Sequence, residues 1–239
     1  RIVGGEPVSI EEIPSMVQIE NLGIWSGVWT QACAGSVLNS MFILTGAFCS
    51  FFFRFYIPAR RRIRAGTANR ESGGIISYVQ IEFNHETYGE SDGSNGDISV
   101  VRLITPLVLS DDIRPAPIIS HGFEMPDNLP VDLAGWGHTE GSYSDVLQKT
   151  TVFTINRELC AARYLTLPRP DYVTENMICH GILDVGGKGM CTGDVGGPVF
   201  YDNIIVGVIS WGYVCGSPTF PGVSTKVSSY TDWIIRTAV

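Results

Sequence analysis

Apolar residues are arranged along the chain mainly as short runs typical of β-strands. Ile75–Phe83 and Val199–Ile209 gather β-branched and aromatic residues and predict strands. Near the C-terminus, Ser229–Ile235 carries apolar residues at helical spacing and predicts a helix. The most nearly continuous apolar run, residues 51–57, is interrupted by Arg54 and is far shorter than the ~18 residues of a membrane helix. The pattern predicts a strand-rich fold with a terminal helix and no membrane-spanning helix.

Composition narrows this prediction. The 239 residues include 27 glycines and are 44% hydrophobic, which suits one large all-β domain with many short strands and tight turns. A net charge of −8 argues against general affinity for nucleic acid or anionic membranes. The six cysteines include no CxxC pair and favour disulfides in an oxidising compartment, although spacing leaves their pairing open. Histidines and cysteines form no metal-ligand motif, so we expect no metal and no cofactor.

One motif lies between Cys191 and Pro198 and reads Cys-Thr-Gly-Asp-Val-Gly-Gly-Pro. It resembles the nucleophile loop of trypsin-like serine proteases, Gly-Asp-Ser-Gly-Gly-Pro, with Val195 in place of the serine. Valine has no heteroatom, so it can neither attack a carbonyl group nor release a proton. A glycine-rich run alone could be an ordinary turn. A match that departs at the reactive atom instead indicates a protease-type loop with an altered centre.

Two further motifs resemble the segments that carry the other catalytic side chains of this family. Leu-Thr-Gly-Ala-Phe-Cys, at residues 44–49, resembles the segment of the general base, with Phe48 in place of the histidine. Asn-Gly-Asp-Ile-Ser, at residues 95–99, resembles the segment of the aspartate and retains Asp97. A phenyl ring has no nitrogen to accept a proton. With the nucleophile and the base replaced, we expect peptide hydrolysis to be improbable and the chain not to be an enzyme.

The resemblance spans nearly the whole chain and implies its architecture. The fold class it implies is all-β, with two six-stranded antiparallel β-barrels (chymotrypsin-like) and a C-terminal helix. The expected ranges are about 15–110, about 118–227 and about 228–237 within one protease-type domain. It also implies a secreted protein, expected to be a monomer. The disulfides it implies are Cys33–Cys49, Cys160–Cys179 and Cys191–Cys215.

The resemblance also places the specificity pocket. Its implied lining residues are Gly189, Gly212, Val214 and Gly222. Gly189 stands where trypsins carry an aspartate, so no carboxylate is available to pair with a basic side chain. Val214 replaces a usual glycine, and we expect it to crowd the pocket mouth and to shift its loop. The alternative interpretation is that Gly189 and Val214 arose by neutral drift in a pocket that is no longer used.

Parts of the protease machinery are retained. The backbone N–H groups of Gly193 and Val195 remain as donors for an oxyanion hole. The chain opens with Arg-Ile-Val-Gly-Gly, which resembles an activation junction. Asp194 could pair with the amine of Ile2, but not while the Arg1–Ile2 bond is intact. The sequence therefore leaves an activated and a zymogen-like form open.

Other groups could in principle replace the missing ones. The hydroxyls of Thr192 and Ser210 lie near the site by analogy with the family, but we expect neither to have a nearby base. Without a histidine partner, we expect the carboxylate of Asp97 to be held by backbone N–H groups near Ala47 and Phe48 and by the Ser210 hydroxyl, since buried charges need hydrogen bonds. We expect the histidines to be solvated loop residues. They are His85, His121, His138 and His180.

Segments at residues 140–144, 173–179 and 186–188 resemble mite group 3 trypsin-like allergens, whose inactivated paralogues occur in scabies mites. Inactive insect clip-domain homologues are the alternative, although the sequence shows no clip domain. The mite resemblance implies a binding protein or decoy with a protein partner, host complement components among the candidates. A weakly active or atypical serine-type endopeptidase is the alternative function.

Aromatic and basic residues follow Cys49. We expect them to form a loop at the rim of the cleft that binds substrate in the protease family. Such residues are enriched at binding hot spots, so Phe55, Arg60, Arg61 and Arg62 are candidates for partner binding. The alternative is that the phenylalanines pack into the first barrel and the arginines are merely solvated.

Overall fold

The computed structural model describes residues 2–51, 57–89, 94–139 and 142–239. In its N-terminal half the chain forms short strands, one short helix, and 3₁₀ turns at Ile10–Glu12 and Pro58–Arg60. The strands are β1 (Glu6–Pro7), β2 (Met16–Leu22), β3 (Trp29–Val37), β4 (Phe42–Thr45), β5 (Arg61–Ala65), β6 (Ile75–Asn84) and β7 (Ser99–Leu103), and the helix is α1 (Phe48–Phe51).

The C-terminal half repeats this pattern and adds two longer helices. Its strands are β8 (Pro130–Gly135), β9 (His138–Thr139), β10 (Ser142–Tyr143), β11 (Gln148–Ile155), β12 (Met177–Gly181), β13 (Pro198–Tyr201), β14 (Ile204–Trp211) and β15 (Gly222–Lys226). The helices are α2 (Arg157–Tyr164) and α3 (Thr231–Thr237), the latter preceded by a 3₁₀ turn at Val227–Ser229.

These strands close into two antiparallel barrels. The first barrel has the order β2-β3-β4-β7-β6-β5. The second has the order β8-β11-β12-β15-β14-β13 and closes where β13 pairs with β8, while β1 extends it beside β11. The prediction of two six-stranded barrels with a C-terminal helix is confirmed. The domain ranges expected above stay predictions.

Two elements differ from their predicted extents. The predicted strand Val199–Ile209 is a hairpin, because Asp202 and Asn203 adopt φ values of 50° and 61° between β13 and β14. Asn and Asp tolerate this left-handed conformation, which two-residue hairpin turns require. The terminal helix, predicted from about residue 228, begins at Thr231, because Tyr230 has φ −122° and ψ 1° and interrupts the helical path.

A shared apolar cluster joins the barrels to each other and to α3. It contains Ala34 and Leu44 from the first barrel, Trp136 and Val208 from the second half, and Ile234 from α3. Separate apolar clusters fill each barrel. Because interiors are close-packed, this shared cluster fixes the two walls of the cleft relative to each other.

Three disulfides tie the loops around the cleft to the barrels. The structure forms the pairs that the resemblance implied, Cys33–Cys49, Cys160–Cys179 and Cys191–Cys215. The first links β3 to α1, and the last links the Val195 loop to the segment after β14. Within the described residues no helix is long and apolar enough to cross a membrane.

The arginines proposed as a partner-binding patch are mostly structural, which corrects that prediction. Arg61 is buried and donates to Glu82 and to the side chain of Asn21. The guanidinium groups of Arg62 and Arg64 both bind the carboxylate of Glu20, whose side chain is fully buried.

The sequence pattern missed these ion pairs because the arginines lie on β5, where alternate side chains turn toward buried carboxylates on β2 and β6. Arg60 is half-buried at the end of a 3₁₀ turn. Phe55 lies outside the described residues.

Candidate active site

The Val195 loop keeps the backbone of a nucleophile loop. Gly193 and Gly196 have φ values of 93° and 83°, a region that side chains disfavour. A Cβ on Gly196 would lie 2.2 Å from Oγ1 of Thr45 and 2.5 Å from the carbonyl oxygen of Ala34. The loop therefore packs tightly against the first barrel, where the side chain of Val195 contacts the barrel core.

The oxyanion-hole remnant is also retained. In the described part of the chain, no hydrogen bond uses the N–H of Gly193 or of Val195. Both donors therefore remain available to an oxygen atom bound in the cleft. The carbonyl groups of the same two residues accept hydrogen bonds, that of Gly193 from Gln31 Nε2 at 2.8 Å and that of Val195 from the N–H of Ala34 at 2.9 Å, which orients the loop.

Asp97 is held as the sequence predicted. Its Oδ1 accepts a hydrogen bond from the N–H of Phe48 at 2.7 Å, and its Oδ2 accepts one from the hydroxyl of Ser210. Its side chain is 1% exposed. Burial raises the pKa of Asp97 to about 6, while the bonds donated by Phe48, Ser210 and Ala47 lower it. The protease architecture is preserved around this carboxylate.

Phe48 occupies the first position of α1, at the edge of the cleft. Its N–H serves Asp97, and its ring is about one-third exposed at 36%. No proton can be taken up by this ring, so the usual route through a histidine is absent at position 48. Phe48 and Val195 line the same cavity, so the structure brings these two residues together as predicted.

Ser210 was predicted to hold Asp97, but not to act as a nucleophile. We expected no base near this hydroxyl, but the structure shows it bonded to the buried carboxylate of Asp97. The side chain of Ser210 is 7% exposed and lines the cavity. The two partners are 113 residues apart in the sequence, so no local motif contains both of them. Thr192, the other hydroxyl considered, is exposed on the cavity lining.

The specificity pocket is open. Its cavity has a volume of about 320 Å³ and is lined by the expected residues Gly189, Gly212, Val214 and Gly222. Val214 is 57% exposed and has no positive φ, so its backbone avoids the glycine-type conformation that would strain a valine. The expected crowding of the pocket mouth and shift of its loop stay predictions.

His180 lies beside this pocket, buried on β12. The prediction of a solvated loop histidine is wrong for it, since it is 1% exposed and its Nε2 lies 2.7 Å from Oγ of Ser224. Burial lowers the pKa of His180 to about 4 and keeps the ring neutral. Its Nδ1 has no hydrogen-bond partner among the described residues.

The other histidines differ in their surroundings. His121 is exposed, as predicted, and His138 is half-buried with its ring centroid 5.4 Å from that of Tyr143. His85 packs between the rings of Tyr230 and Trp233, with centroid distances of 4.8 and 5.1 Å, and is not a solvated loop residue.

The N-terminal segment is inserted beneath the pocket. Ile2 is 1% exposed, and Val3 exchanges two backbone hydrogen bonds with Gly189, of 2.8 and 3.1 Å. Asp194 is fully buried and accepts bonds from the N–H groups of Gly137 and Cys191 at 2.7 and 2.9 Å. Burial raises the pKa of Asp194 to about 6. Arg1 lies outside the described residues. The ion pair between an Ile2 amine and Asp194 therefore stays a prediction.

Comparison with known proteins identifies the family that this fold and cleft define. The family model described as Trypsin matches residues 2–234. The chain therefore belongs to the trypsin family of serine proteases. Within the described residues no group of three or more histidine, cysteine or acidic side chains could hold a metal ion.

The chain is similar to several insect proteins over nearly its whole length. Trypsin CFT-1 of Choristoneura fumiferana is 38% identical over 237 residues, which cover 98% of this chain and 90% of the relative. Trypsin, alkaline C, of Manduca sexta is 36% identical over the same shares of the two chains. Vitellin-degrading protease of Bombyx mori is 33% identical and covers 98% of this chain and 84% of the relative.

These relatives contradict the prediction that the chain is not an enzyme. Proteins named trypsins that are 33–38% identical over 98% of this chain point to an active serine protease. The prediction rested on Phe48 and Val195. Their side chains remove one route to peptide hydrolysis, but they do not remove other hydroxyls or carboxylates from the cleft.

Proposed function

We propose that this trypsin-family chain binds extended polypeptide in the cleft and acts on it as an atypical serine-type endopeptidase. The observation that carries the proposal is the Ser210–Asp97 hydrogen bond beside an open specificity pocket. A hydroxyl bonded to a carboxylate is the minimal pair of nucleophile and base. The high pKa of Asp97, caused by burial, makes it a stronger base than an exposed aspartate.

In this mechanism Ser210 takes the role that position 195 has in the family. Its Oγ adds to the scissile carbonyl carbon while its proton passes to Oδ2 of Asp97. The N–H groups of Gly193 and Val195 offer hydrogen bonds to the developing oxyanion. The proton then moves to the leaving amine, the peptide C–N bond breaks, and water hydrolyses the acyl ester of Ser210.

Labelling and cleavage together test this mechanism. The purified chain is treated with a fluorophosphonate, the modified peptide is mapped by mass spectrometry, and cleavage of denatured casein is followed in parallel. We expect label on Ser210 and slow cleavage, both lost in Ser210→Ala. Thr192→Val is the matched control, because it removes a hydroxyl from the same cavity without touching Asp97.

Two results would overturn the mechanism. One is an unlabelled wild-type chain without detectable cleavage. The other is cleavage that persists unchanged in Ser210→Ala, which would assign the activity to another group or to a contaminating protease.

A second candidate is capture of a protein partner in the same cleft, host complement components included, by a secreted monomer of the mite group 3 type. The apolar side chains of Phe48 and Val195 favour it, because they add apolar contact area at the cleft centre. A pull-down from host plasma, repeated with the specificity pocket blocked by Gly222→Leu, tests it. Recovery of the same partner by both proteins would contradict binding in the cleft.

A further inference from the structure

The buried ring of His180 is an unusual wall for a specificity pocket. It lines the cavity together with Gly189, Met190 and Gly222. A Cβ on Gly222 would lie 2.8 Å from Cε1 and 3.2 Å from Nδ1 of His180, closer than a side chain can pack, so only glycine at this position leaves this edge of the ring uncovered by a side chain. Cγ of Met190 reaches the same point, at 3.3 Å, and its unbranched side chain can rotate aside.

Hydrogen bonding of Ser224 fixes which ring nitrogen carries the proton. Ser224 is fully buried, and in the described chain its hydroxyl has one hydrogen-bond partner, Nε2 of His180. If Nε2 carried the proton, both the hydroxyl hydrogen and the lone pair of Nδ1 would lack a partner, whereas a proton on Nδ1 leaves one group, that N–H, without a partner. The hydroxyl therefore donates to Nε2, and the proton of the neutral imidazole lies on Nδ1. An unpaired N–H donor thus borders the cavity, and a buried donor without a partner costs free energy until an acceptor reaches it.

Charge around the pocket limits which acceptor suits this donor. The charged residues that line the cavity in the described chain are Asp97, which is buried, and Lys188, which is exposed. Gly189 contributes no charge. A carboxylate bound beside a neutral imidazole would lose its hydration, which is costly, and the solvent-exposed ammonium group of Lys188 would offset only part of that cost. A neutral oxygen acceptor avoids this cost.

We propose that the Nδ1–H group of His180 is a specificity-determining donor and that the pocket accepts a side chain ending in a carboxamide, glutamine or asparagine. The inference rests on the proposed binding of polypeptide in the cleft and adds the side chain that the pocket selects. The carboxamide oxygen would accept the hydrogen bond of His180, and the aliphatic part of the side chain would lie against Met190.

Peptide binding tests the inference directly. Fluorescent hexapeptides that differ only in the residue entering the pocket, with glutamine, methionine or glutamate at that position, are titrated into the wild-type chain, and fluorescence anisotropy gives each Kd. Methionine matches glutamine in length but has no strong acceptor. We expect the glutamine peptide to bind about tenfold more tightly than the methionine peptide, the scale of one hydrogen bond to a buried donor.

Two histidine variants assign the preference. His180→Phe keeps a ring but removes Nδ1, so we expect the preference for glutamine to disappear while the methionine peptide still binds. His85→Phe, which changes a histidine packed against Trp233, should leave the preference unchanged. Thermal unfolding of each variant checks that the fold is intact, and the wild-type titrations remain decisive if His180→Phe does not fold.

The outcomes separate this inference from the function on which it rests. Methionine or glutamate peptides that bind the wild-type chain as tightly as the glutamine peptide would overturn the inference while leaving polypeptide binding in place. A preference for glutamine that survives in His180→Phe would do the same. Failure of all three peptides to bind would overturn the proposed function, and the inference with it.

Discussion

Replacing Asp97 by asparagine should remove the pH dependence that this buried carboxylate imposes on the free energy of unfolding. Burial raises the pKa of Asp97 from 3.8 to about 6, so the folded chain binds this proton more tightly than the unfolded chain does. The contribution of Asp97 to the free energy of unfolding therefore falls as pH rises from about 4. Above about pH 6 the carboxylate is charged in both states, and the destabilisation caused by burying it is complete. Each tenfold difference in proton affinity is worth about 1.4 kcal/mol, so the penalty at pH 8 is about 3 kcal/mol.

Asparagine matches the size of aspartate and carries no charge. Its side-chain oxygen can accept the N–H of Phe48, and its amide can donate to Oγ of Ser210, so the two hydrogen-bonded contacts survive. We therefore expect the free energy of unfolding of Asp97→Asn, relative to the wild type, to rise by about 2 kcal/mol between pH 4 and pH 8.

Urea unfolding of both proteins at pH 4 and pH 8 measures this double difference. Asp194, whose pKa burial also raises, is present in both proteins and cancels. Asp171→Asn is the matched control at an exposed carboxylate, and its difference from the wild type should stay within about 0.5 kcal/mol at both pH values. A relative stability of Asp97→Asn that is constant or falls as pH rises would refute the reasoning.

Three further predictions concern the barrels and the loop. Glu20→Gln should lower the free energy of unfolding, measured by urea unfolding, by about 3 kcal/mol, because it leaves the buried guanidinium group of Arg64 and the partly buried one of Arg62 uncompensated. A loss below about 1 kcal/mol would contradict this. Val195→Ser alone should not become labelled by fluorophosphonate at position 195, whereas Val195→Ser with Phe48→His should; mapped label on the single variant would show that another base serves this site. Gly196→Ala should lower the free energy of unfolding by more than about 2 kcal/mol, since its Cβ would contact backbone atoms and its φ is positive. Gly27→Ala is the control and should cost less, because Gly27 has a similar φ but no atom near the added Cβ. Equal losses for the two variants in thermal and urea unfolding would contradict the packing argument.

The fold was predictable because its signals are local or carried by contiguous motifs. β-branched runs identified β6 and the β13–β14 hairpin, and the loop around Val195 identified the barrel architecture. The start of α3 was misplaced by three residues, since helical spacing in the sequence does not reveal the backbone angles of Tyr230. Helix boundaries depend on such single conformations.

The site was only partly predictable, since its decisive contacts join distant parts of the chain. Phe48, Asp97 and Val195 were placed correctly because each lies inside its own motif. The bond between Ser210 and Asp97 was predicted from the resemblance, whereas its possible catalytic use was not. The burial of His180 arises from barrel closure, which no local pattern encodes. Enzymatic activity was misjudged for a related reason, since absence of two side chains was treated as absence of every reactive group.

The buried charges of the first barrel also act as a register lock. Glu20 on β2 lies opposite Arg62 on β5, and Arg64 lies two residues further along the same face. A slip of one residue between these strands would turn the carboxylate to the opposite face from both guanidinium groups. Apolar residues would tolerate several neighbouring alignments, whereas this trio satisfies its charges in one alignment. The arginine-rich strand β5 therefore favours the one register with β2 in which the first barrel closes, and this register sets the geometry of the cleft wall that the barrel forms.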